Sequence, residues 1–218
     1  MATNKNHFLN IITIITGVIA IFLDYNNYHE WFTIFKPLTT ILILSIALIN
    51  FKSAPKKFAL LISIGFVFCM LGDIFLLEQS GFLYGLVSFL IAHVLFSVGF
   101  ISIDGFKKNP YVSIVLIVFI LLIYWYLKDN LGTMKIPVLA YMLVISFMVW
   151  QGVSLYLWKS QKVYYFIALS VVLFLVSDTI LAIDVFKFSF KEAPIYNLAT
   201  YWASLLILAN TFRLFKND

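Results

Sequence analysis

The sequence predicts an all-α integral membrane protein, built as an eight-transmembrane-helix bundle, and two observations support this fold class. Of the 218 residues, 63% are hydrophobic and only 11% are charged, whereas about 25% of the residues in a typical soluble domain are charged. The apolar residues also fall into runs of the length that a helix needs to cross the hydrocarbon core, about 20 residues. A soluble fold of this size leaves roughly a third of its surface in water, so lipid is the solvent that suits this composition.

Each of the eight predicted helices is an apolar run bounded by a short polar break. In chain order the runs are Phe8–Leu23, Phe32–Ile49, Phe58–Leu77, Phe82–Ile103, Tyr111–Leu127, Ile136–Leu157, Tyr164–Ile183 and Ile195–Leu214. The breaks contain turn-forming residues, and Pro110, Pro137 and Pro194 stand at helix starts, where a missing N–H is tolerated. Because only short breaks remain, residues 1–218 are predicted to form a single domain.

The first run resembles a signal peptide, since it is apolar and follows Lys5. Signal peptides end at a cleavage site of small residues, and the sequence after Leu23 has no clear site of that kind. We therefore expect this run to be retained as the first helix.

The lysines and arginines lie mainly in the breaks between the apolar runs, and they are unequally divided between the two sides of the predicted bundle. Ten fall on the side of the N-terminus and five on the opposite side. Because cytoplasmic loops carry the excess of Lys and Arg, both termini are predicted to be cytoplasmic, in a bacterial-type inner or plasma membrane. The net charge of +5 forms no basic patch, so we expect membrane lipids as partners, and neither nucleic acid nor a protein partner.

Two segments of the chain resemble each other. Residues 69–76 in the third helix and residues 174–181 in the seventh both carry an aspartate near the end of an apolar run. Two four-helix halves of the same orientation would produce such a repeat. The single cysteine, Cys69, lies in the first of these segments, where we expect a buried thiol without an intrachain disulfide.

A small set of ionisable and polar residues lies inside the predicted spans, where a charged side chain costs roughly 2.5–3.5 kcal/mol and marks a functional site by default. Their positions along the helices place all of them between the midplane and one face of the membrane, so a common polar pocket is predicted. The set comprises Lys36, Asp73, His93, Asp178, Asn197 and Tyr201.

Each of these residues also has a purely structural interpretation. Lys36 could extend its ammonium to the lipid headgroups, and His93 could be a buried imidazole paired with a neighbour. Asp73 and Asp178 could form a structural ion pair with Lys36. Glu78 and Asp184, at helix ends, are expected to be solvated.

Two carboxylates in a site of low dielectric constant cannot both ionise easily, so one is expected to hold a proton while the other acts as a base. One protonated carboxyl group and one carboxylate are the least that acid–base hydrolysis requires. A proton-coupled transporter or a lipid-binding protein would also place aspartates and histidines in its spans, and Gly72-Asp73 resembles part of an intramembrane protease. A zinc site of Asp73, His93 and Asp178 lacks the usual ligand patterns, so no metal or other cofactor is predicted.

Four motifs in order resemble the YhhN-type membrane protein family, which includes the lysoplasmalogenases. They are Lys36-Pro37, Leu71-Gly72-Asp73-Ile74-Phe75-Leu76-Leu77, Gly85-x-x-x-Phe89-x-x-Ala92-His93 and Ser177-Asp178-x-x-Leu181-Ala182. The resemblance implies an eight-helix hydrolase that cleaves the vinyl ether bond of lysoplasmalogens, which are single-chain ether lysophospholipids, to a fatty aldehyde and a glycerophospho-base.

The resemblance also implies roles for individual residues. Asp73, His93 and Asp178 take the catalytic positions, and Lys36 lies beside them, where it could hold the substrate phosphate. Asn197 and Tyr201 of the last helix complete the predicted substrate-binding set. The chain departs from the family pattern at residues 201–205, which read Tyr-Trp-Ala-Ser-Leu where a glutamine is expected.

Overall fold

A computed structural model of the protein describes residues 2–216, and over this range the chain forms eight α-helices and no strand. All eight helices are long and apolar enough to cross a membrane. They are α1 (Ala2–Tyr25), α2 (His29–Ile49), α3 (Lys56–Phe75), α4 (Phe82–Asp104), α5 (Pro110–Leu127), α6 (Lys135–Trp158), α7 (Lys162–Phe186) and α8 (Ala193–Thr211).

The eight predicted runs each correspond to one helix, and the helices extend beyond most of the apolar runs. The extension matters most in α2, which begins at His29 rather than Phe32. Lys36 therefore lies about two turns inside this helix, followed directly by Pro37. Pro110 and Pro194 lie within the first two residues of α5 and α8, as their tolerance of a missing N–H predicts.

Small residues let α3 and α4 approach closely. A Cβ atom added to Gly65 would lie 2.3 Å from Cε1 of Phe96, and one added to Gly72 would lie 2.6 Å from Cε2 of Phe89. The rings of α4 thus occupy the space that side chains on α3 would need. This packing brings the helix that carries Asp73 against the helix that carries His93.

The periphery of the bundle is apolar, as a lipid-facing surface must be. Helix α5 is the clearest case, because it packs chiefly against α6 and exposes Ile114, Val115, Leu121 and Trp125. The division into two four-helix halves and the cytoplasmic position of both termini stay predictions.

Candidate active site

Asp73 is fixed by hydroxyl groups from two other helices. Its Oδ2 atom accepts hydrogen bonds from the Thr40 hydroxyl on α2, at 2.5 Å, and from the Tyr201 hydroxyl on α8, at 3.1 Å. The indole N–H of Trp202 donates in turn to the Thr40 oxygen, at 3.3 Å. The side chain is only 1% exposed, so Asp73 is a buried carboxyl group on α3 that is held by side chains of α2 and α8.

Asp178 belongs to a second hydrogen-bonded assembly. Its Oδ2 atom accepts a hydrogen bond from the Tyr141 hydroxyl on α6. The Nε2 atom of His93, on α4, lies 4.0 Å from the same oxygen, beyond hydrogen-bond distance. Unlike Asp73, the Asp178 side chain is partly accessible, with 15% of its surface exposed.

His93 is completely buried among aromatic rings. The rings of Phe174 and Tyr141 meet the imidazole edge to face, with centroids 4.6 Å and 5.2 Å away. Neither ring nitrogen has a hydrogen-bond partner among the residues that the structure describes. Buried polar atoms nearly always have a hydrogen-bond partner. With both ring nitrogens unpaired among the described residues, His93 is the polar group of the site with the greatest unused hydrogen-bonding capacity.

The two carboxylate assemblies adjoin each other across one aromatic cluster. The Phe174 ring contacts His93 on the Asp178 side and Tyr201 on the Asp73 side, at centroid distances of 4.6 Å and 5.4 Å. The buried thiol of Cys69 lies close enough to Asp73 and Asp178 to interact electrostatically with both carboxylates. Asp73, His93 and Asp178 are therefore neighbours in one region of the bundle.

Lys36 is buried, with 7% of its surface exposed. Its ammonium lies 5.5 Å from the centroid of the Phe32 ring and within electrostatic range of Asp24 and Asp73. It lines a cavity of about 610 Å³, which we call the vestibule. The polar residues of the vestibule are Asp24, Lys36, Glu78, Gln79, Asp184 and Asn197.

A second, narrower cavity begins beside the vestibule. This crevice, of about 60 Å³, lies between α4, α5, α6 and α7 and is apolar apart from Asp178, Tyr141, Ser146 and Thr179. The two cavities share Leu76, Phe82 and Leu181 as lining residues. Asp178 thus lines an apolar cavity that adjoins a charged one.

Asn197 and Tyr201 both lie beside the site, and the structure gives each a partner within the protein. The Asn197 amide donates to the Ser177 carbonyl at 2.9 Å and to its hydroxyl at 3.0 Å, which joins α7 to α8. Tyr201 donates to Asp73. Asn197 also lines the vestibule, and contact of either residue with a substrate stays a prediction.

Three residues of these assemblies were not singled out from the sequence, namely Thr40, Tyr141 and Trp202. Thr40 follows Lys36 by four residues and so shares its helix face. This spacing is enough to predict that Thr40 lies near the site. Tyr141 and Trp202 reach partners 37 and 162 residues away in sequence, and nothing local marks them. Within residues 2–216 no group of three or more His, Cys, Asp or Glu side chains is placed to hold a metal ion.

Comparison with known proteins identifies the family. Residues 31–212 match the family model of the YhhN family. The chain belongs to the YhhN family. Together with its eight apolar helices, this makes it an integral, multi-pass membrane protein.

Curated relatives carry the name lysoplasmalogenase. The chain is 30% identical to lysoplasmalogenase TMEM86B of Rattus norvegicus over 146 residues, which is 63% of this chain and 54% of the rat protein. It is 28% identical to lysoplasmalogenase TMEM86A of Bos taurus over 175 residues, 74% of this chain and 67% of the bovine protein. A lysoplasmalogenase homolog of Dictyostelium discoideum is 29% identical over 52% of this chain and 43% of its own length.

These matches span about half to two thirds of the length of the two mammalian relatives. No solved structure matches the chain.

Proposed function

We propose that this YhhN-family protein is a membrane-embedded hydrolase that cleaves the vinyl ether bond of lysoplasmalogens. The observation that carries the proposal is the position of Asp178, in an apolar crevice that adjoins the charged vestibule. A single-chain lipid has the same division, with a charged headgroup next to a hydrocarbon chain. The names of the curated relatives support the same substrate class.

The two cavities suggest how such a lipid would lie. The first carbons of the hydrocarbon chain, next to the ether, would enter the crevice, whose walls include Phe89, Phe119 and Met142, and the rest of the chain would extend into the bilayer. The headgroup would occupy the vestibule, where the buried ammonium of Lys36 can bind the phosphate through charge-assisted hydrogen bonds. The carboxylates of Asp24 and Asp184 complement a positively charged base.

In this pose the vinyl ether, which joins the glycerol to the hydrocarbon chain, would lie near Asp178. Hydrolysis of a vinyl ether begins with transfer of a proton to the carbon next to the ether carbon, which leaves an oxocarbenium ion. We assign the protonated carboxyl group of Asp178 as the acid. The Tyr141 hydroxyl, which donates to Oδ2 of Asp178, stabilises the carboxylate that the transfer leaves behind.

The second half of the reaction adds water to the oxocarbenium carbon. The Asp178 carboxylate accepts a proton from that water, which restores the acid, and the hemiacetal collapses to an aldehyde and a glycerophospho-base. We assign His93 to orient the water, because a single molecule can bond both its Nε2 atom and Asp178, which are 4.0 Å apart. Asp73 would stabilise the cation through its charge, since it is too deeply buried to touch the substrate.

The experiment is an aldehyde-release assay with the purified protein and a 1-O-alkenyl lysophospholipid. Wild type should release aldehyde, and Asp178→Asn should lower the rate by at least about 100-fold, the usual contribution of a general acid or base. Asp73→Asn should also lower it by about 100-fold, because it removes an electrostatic stabiliser of the cation. Asp129→Asn changes a carboxylate in an exposed loop and should leave the rate unchanged.

Two results would contradict the proposed activity or its assigned acid. A wild-type protein that releases no aldehyde from any lysoplasmenyl lipid would exclude the activity. If such a protein instead drove proton-coupled uptake into proteoliposomes without lipid turnover, it would be a transporter. Retention of full activity by a folded Asp178→Asn protein would exclude the assigned acid.

A further inference from the structure

A third cavity lies far from the candidate active site, at the end of the bundle where α1 and α7 begin and α8 ends. This groove, of about 370 Å³, runs between those three helices. We call it the basic groove. Its lining residues are Asn10, Ile14, Lys162, Phe166, Leu206, Ile207, Asn210, Arg213 and Leu214.

The basic groove has a strongly one-sided charge. Lys162 and Arg213 contribute two cations, and among residues 2–216 no carboxylate lines the groove. Within residues 2–216 neither cation forms an ion pair with an acidic side chain. The vestibule at the other end has the opposite balance, with three carboxylates and one lysine. The basic groove therefore favours an anion along its whole lining, whereas in the vestibule only Lys36 would do so.

Paired amides fix the width of the basic groove. Asn10 on α1 and Asn210 on α8 exchange two hydrogen bonds, of 3.2 Å and 2.8 Å. The Asn210 amide also donates to the Leu206 carbonyl at 2.8 Å. These bonds hold α1 against α8 in the part of the groove next to Arg213. The space between the helices, beside Lys162 and Arg213, is therefore a preformed feature of the bundle.

The walls of the basic groove continue from its charged rim into the bilayer. Phe166 follows Lys162 by one helical turn and lies about 6 Å deeper along α7. Ile207 lies about one turn inside the end of α8, and Arg213 follows that end. Ile14 and Leu206 extend the same apolar surface. A free phosphate ion would contact only Lys162 and Arg213 at the rim of the groove. A phospholipid would contact these two side chains with its phosphate and the apolar walls with an acyl chain.

We propose that the basic groove binds an anionic phospholipid of the membrane, with its phosphate between Lys162 and Arg213 and an acyl chain along Phe166 and Ile207. This end of the bundle is the one that the distribution of basic residues assigns to the cytoplasm, and anionic lipids are concentrated in the cytoplasmic leaflet. The binding is independent of the hydrolase activity, and it ties α1 to α7 and α8.

The test measures which lipids stay bound to the purified full-length protein. Protein extracted from bilayers of phosphatidylcholine with a small fraction of phosphatidylglycerol is analysed by native mass spectrometry. Wild type should retain phosphatidylglycerol in preference to phosphatidylcholine. The double variant Lys162→Gln/Arg213→Gln should retain it about 30-fold less, as expected for the loss of two charges near an anionic lipid.

Two further variants separate this site from general surface charge. Lys56→Gln/Lys57→Gln removes two exposed lysines at the same end of the bundle and should retain phosphatidylglycerol like wild type. Arg213→Lys keeps the charge, and this variant should retain most of the phosphatidylglycerol that wild type retains. The helical content and the elution volume of each variant confirm that it is folded.

Three results would overturn the proposal. The first is equal retention of the two lipids by wild type. The second is an equal loss of phosphatidylglycerol in the Lys56/Lys57 variant, which would mean nonspecific attraction. The third is full displacement of the lipid by millimolar inorganic phosphate, which would assign the groove to a free ion.

Discussion

Each of the two buried aspartates presents one carboxylate oxygen to hydroxyl groups of neighbouring helices. Thr40 and Tyr201 donate to Asp73, and Tyr141 donates to Asp178. In a bundle with few polar groups these bonds fix the orientation of each carboxyl group. The Asp178 side chain also lines the crevice, which is the position that proton transfer to a bound lipid requires.

The hydrogen bond from Tyr141 can be tested by removing a single oxygen atom. Tyr141→Phe should lower the rate of aldehyde release by about 10- to 100-fold, because a hydrogen bond to a charged group contributes about 1.5–3 kcal/mol and each 1.4 kcal/mol is a factor of ten. The substitution preserves the ring that packs against His93. The measurement is the steady-state rate with an alkenyl lysophospholipid.

Tyr156→Phe is the matched control, because Tyr156 lies on the same helix and its ring packs against Tyr165, outside the site. Equal activity of the Tyr141→Phe protein and wild type would contradict the role given to this hydroxyl.

At the scale of single residues, the sequence predicts the charged members of the site better than their partners. Asp73, Asp178 and Lys36 stand out because a charge inside a span is costly and therefore rare. Tyr141 does not stand out, since tyrosines are common in membrane helices and this one resembles an interfacial residue. Its function depends on a partner 37 residues away, and such pairing becomes visible only in three dimensions.

At the scale of helices, the apolar runs predict the number and order of the elements, because each run must satisfy its own backbone hydrogen bonds in lipid. The ends are less predictable. Helix α2 begins at His29, before the apolar run, since polar residues at the membrane surface can continue a helix. Lys36 lies about two turns inside this helix and is buried, whereas the sequence alone left both burial and surface exposure open.

The close contact between α3 and α4 predicts an effect of helix packing on stability. Gly65→Ala should destabilise the protein by about 1–3 kcal/mol, the usual cost of overpacking. The added Cβ atom would lie 2.3 Å from the Phe96 ring, which is fully buried and held against Phe66. The measurement is the thermal unfolding midpoint, which should fall by several degrees.

Gly17→Ala provides the comparison, because a Cβ atom at Gly17 would meet its nearest neighbour at 3.4 Å, an ordinary contact. Its midpoint should stay equal or rise, since alanine favours the helix. A Gly65→Ala protein as stable as the Gly17→Ala protein would show that the two helices are not packed as described.

At the scale of the whole molecule, the polar groups concentrate at opposite ends of the bundle with opposite charge. Among the described residues, the charged side chains of the vestibule are mainly acidic and those of the basic groove are basic. The counts of lysine and arginine predict that the basic end lies in the cytoplasm. The vestibule, and with it the headgroup of the proposed substrate, would then face the opposite side of the membrane.

Thiol labelling of intact cells tests this orientation. Lys108→Cys lies in the loop between α4 and α5, on the predicted cytoplasmic side, and Asp129→Cys lies in the next loop, on the other side. A membrane-impermeant reagent should label Asp129→Cys in intact cells and Lys108→Cys only after permeabilisation. The one native thiol, Cys69, is buried and should not react. The reverse pattern would invert the predicted orientation.

The central claim, that carboxyl groups inside this bundle protonate a vinyl ether, is tested most directly by the reaction in heavy water. Protonation on carbon must place one solvent hydrogen next to the new carbonyl group. The account therefore predicts that aldehyde released in D₂O by wild type, trapped at once and analysed by mass spectrometry, carries one deuterium on that carbon. Aldehyde released without deuterium, or no aldehyde from any alkenyl lysophospholipid, would contradict it.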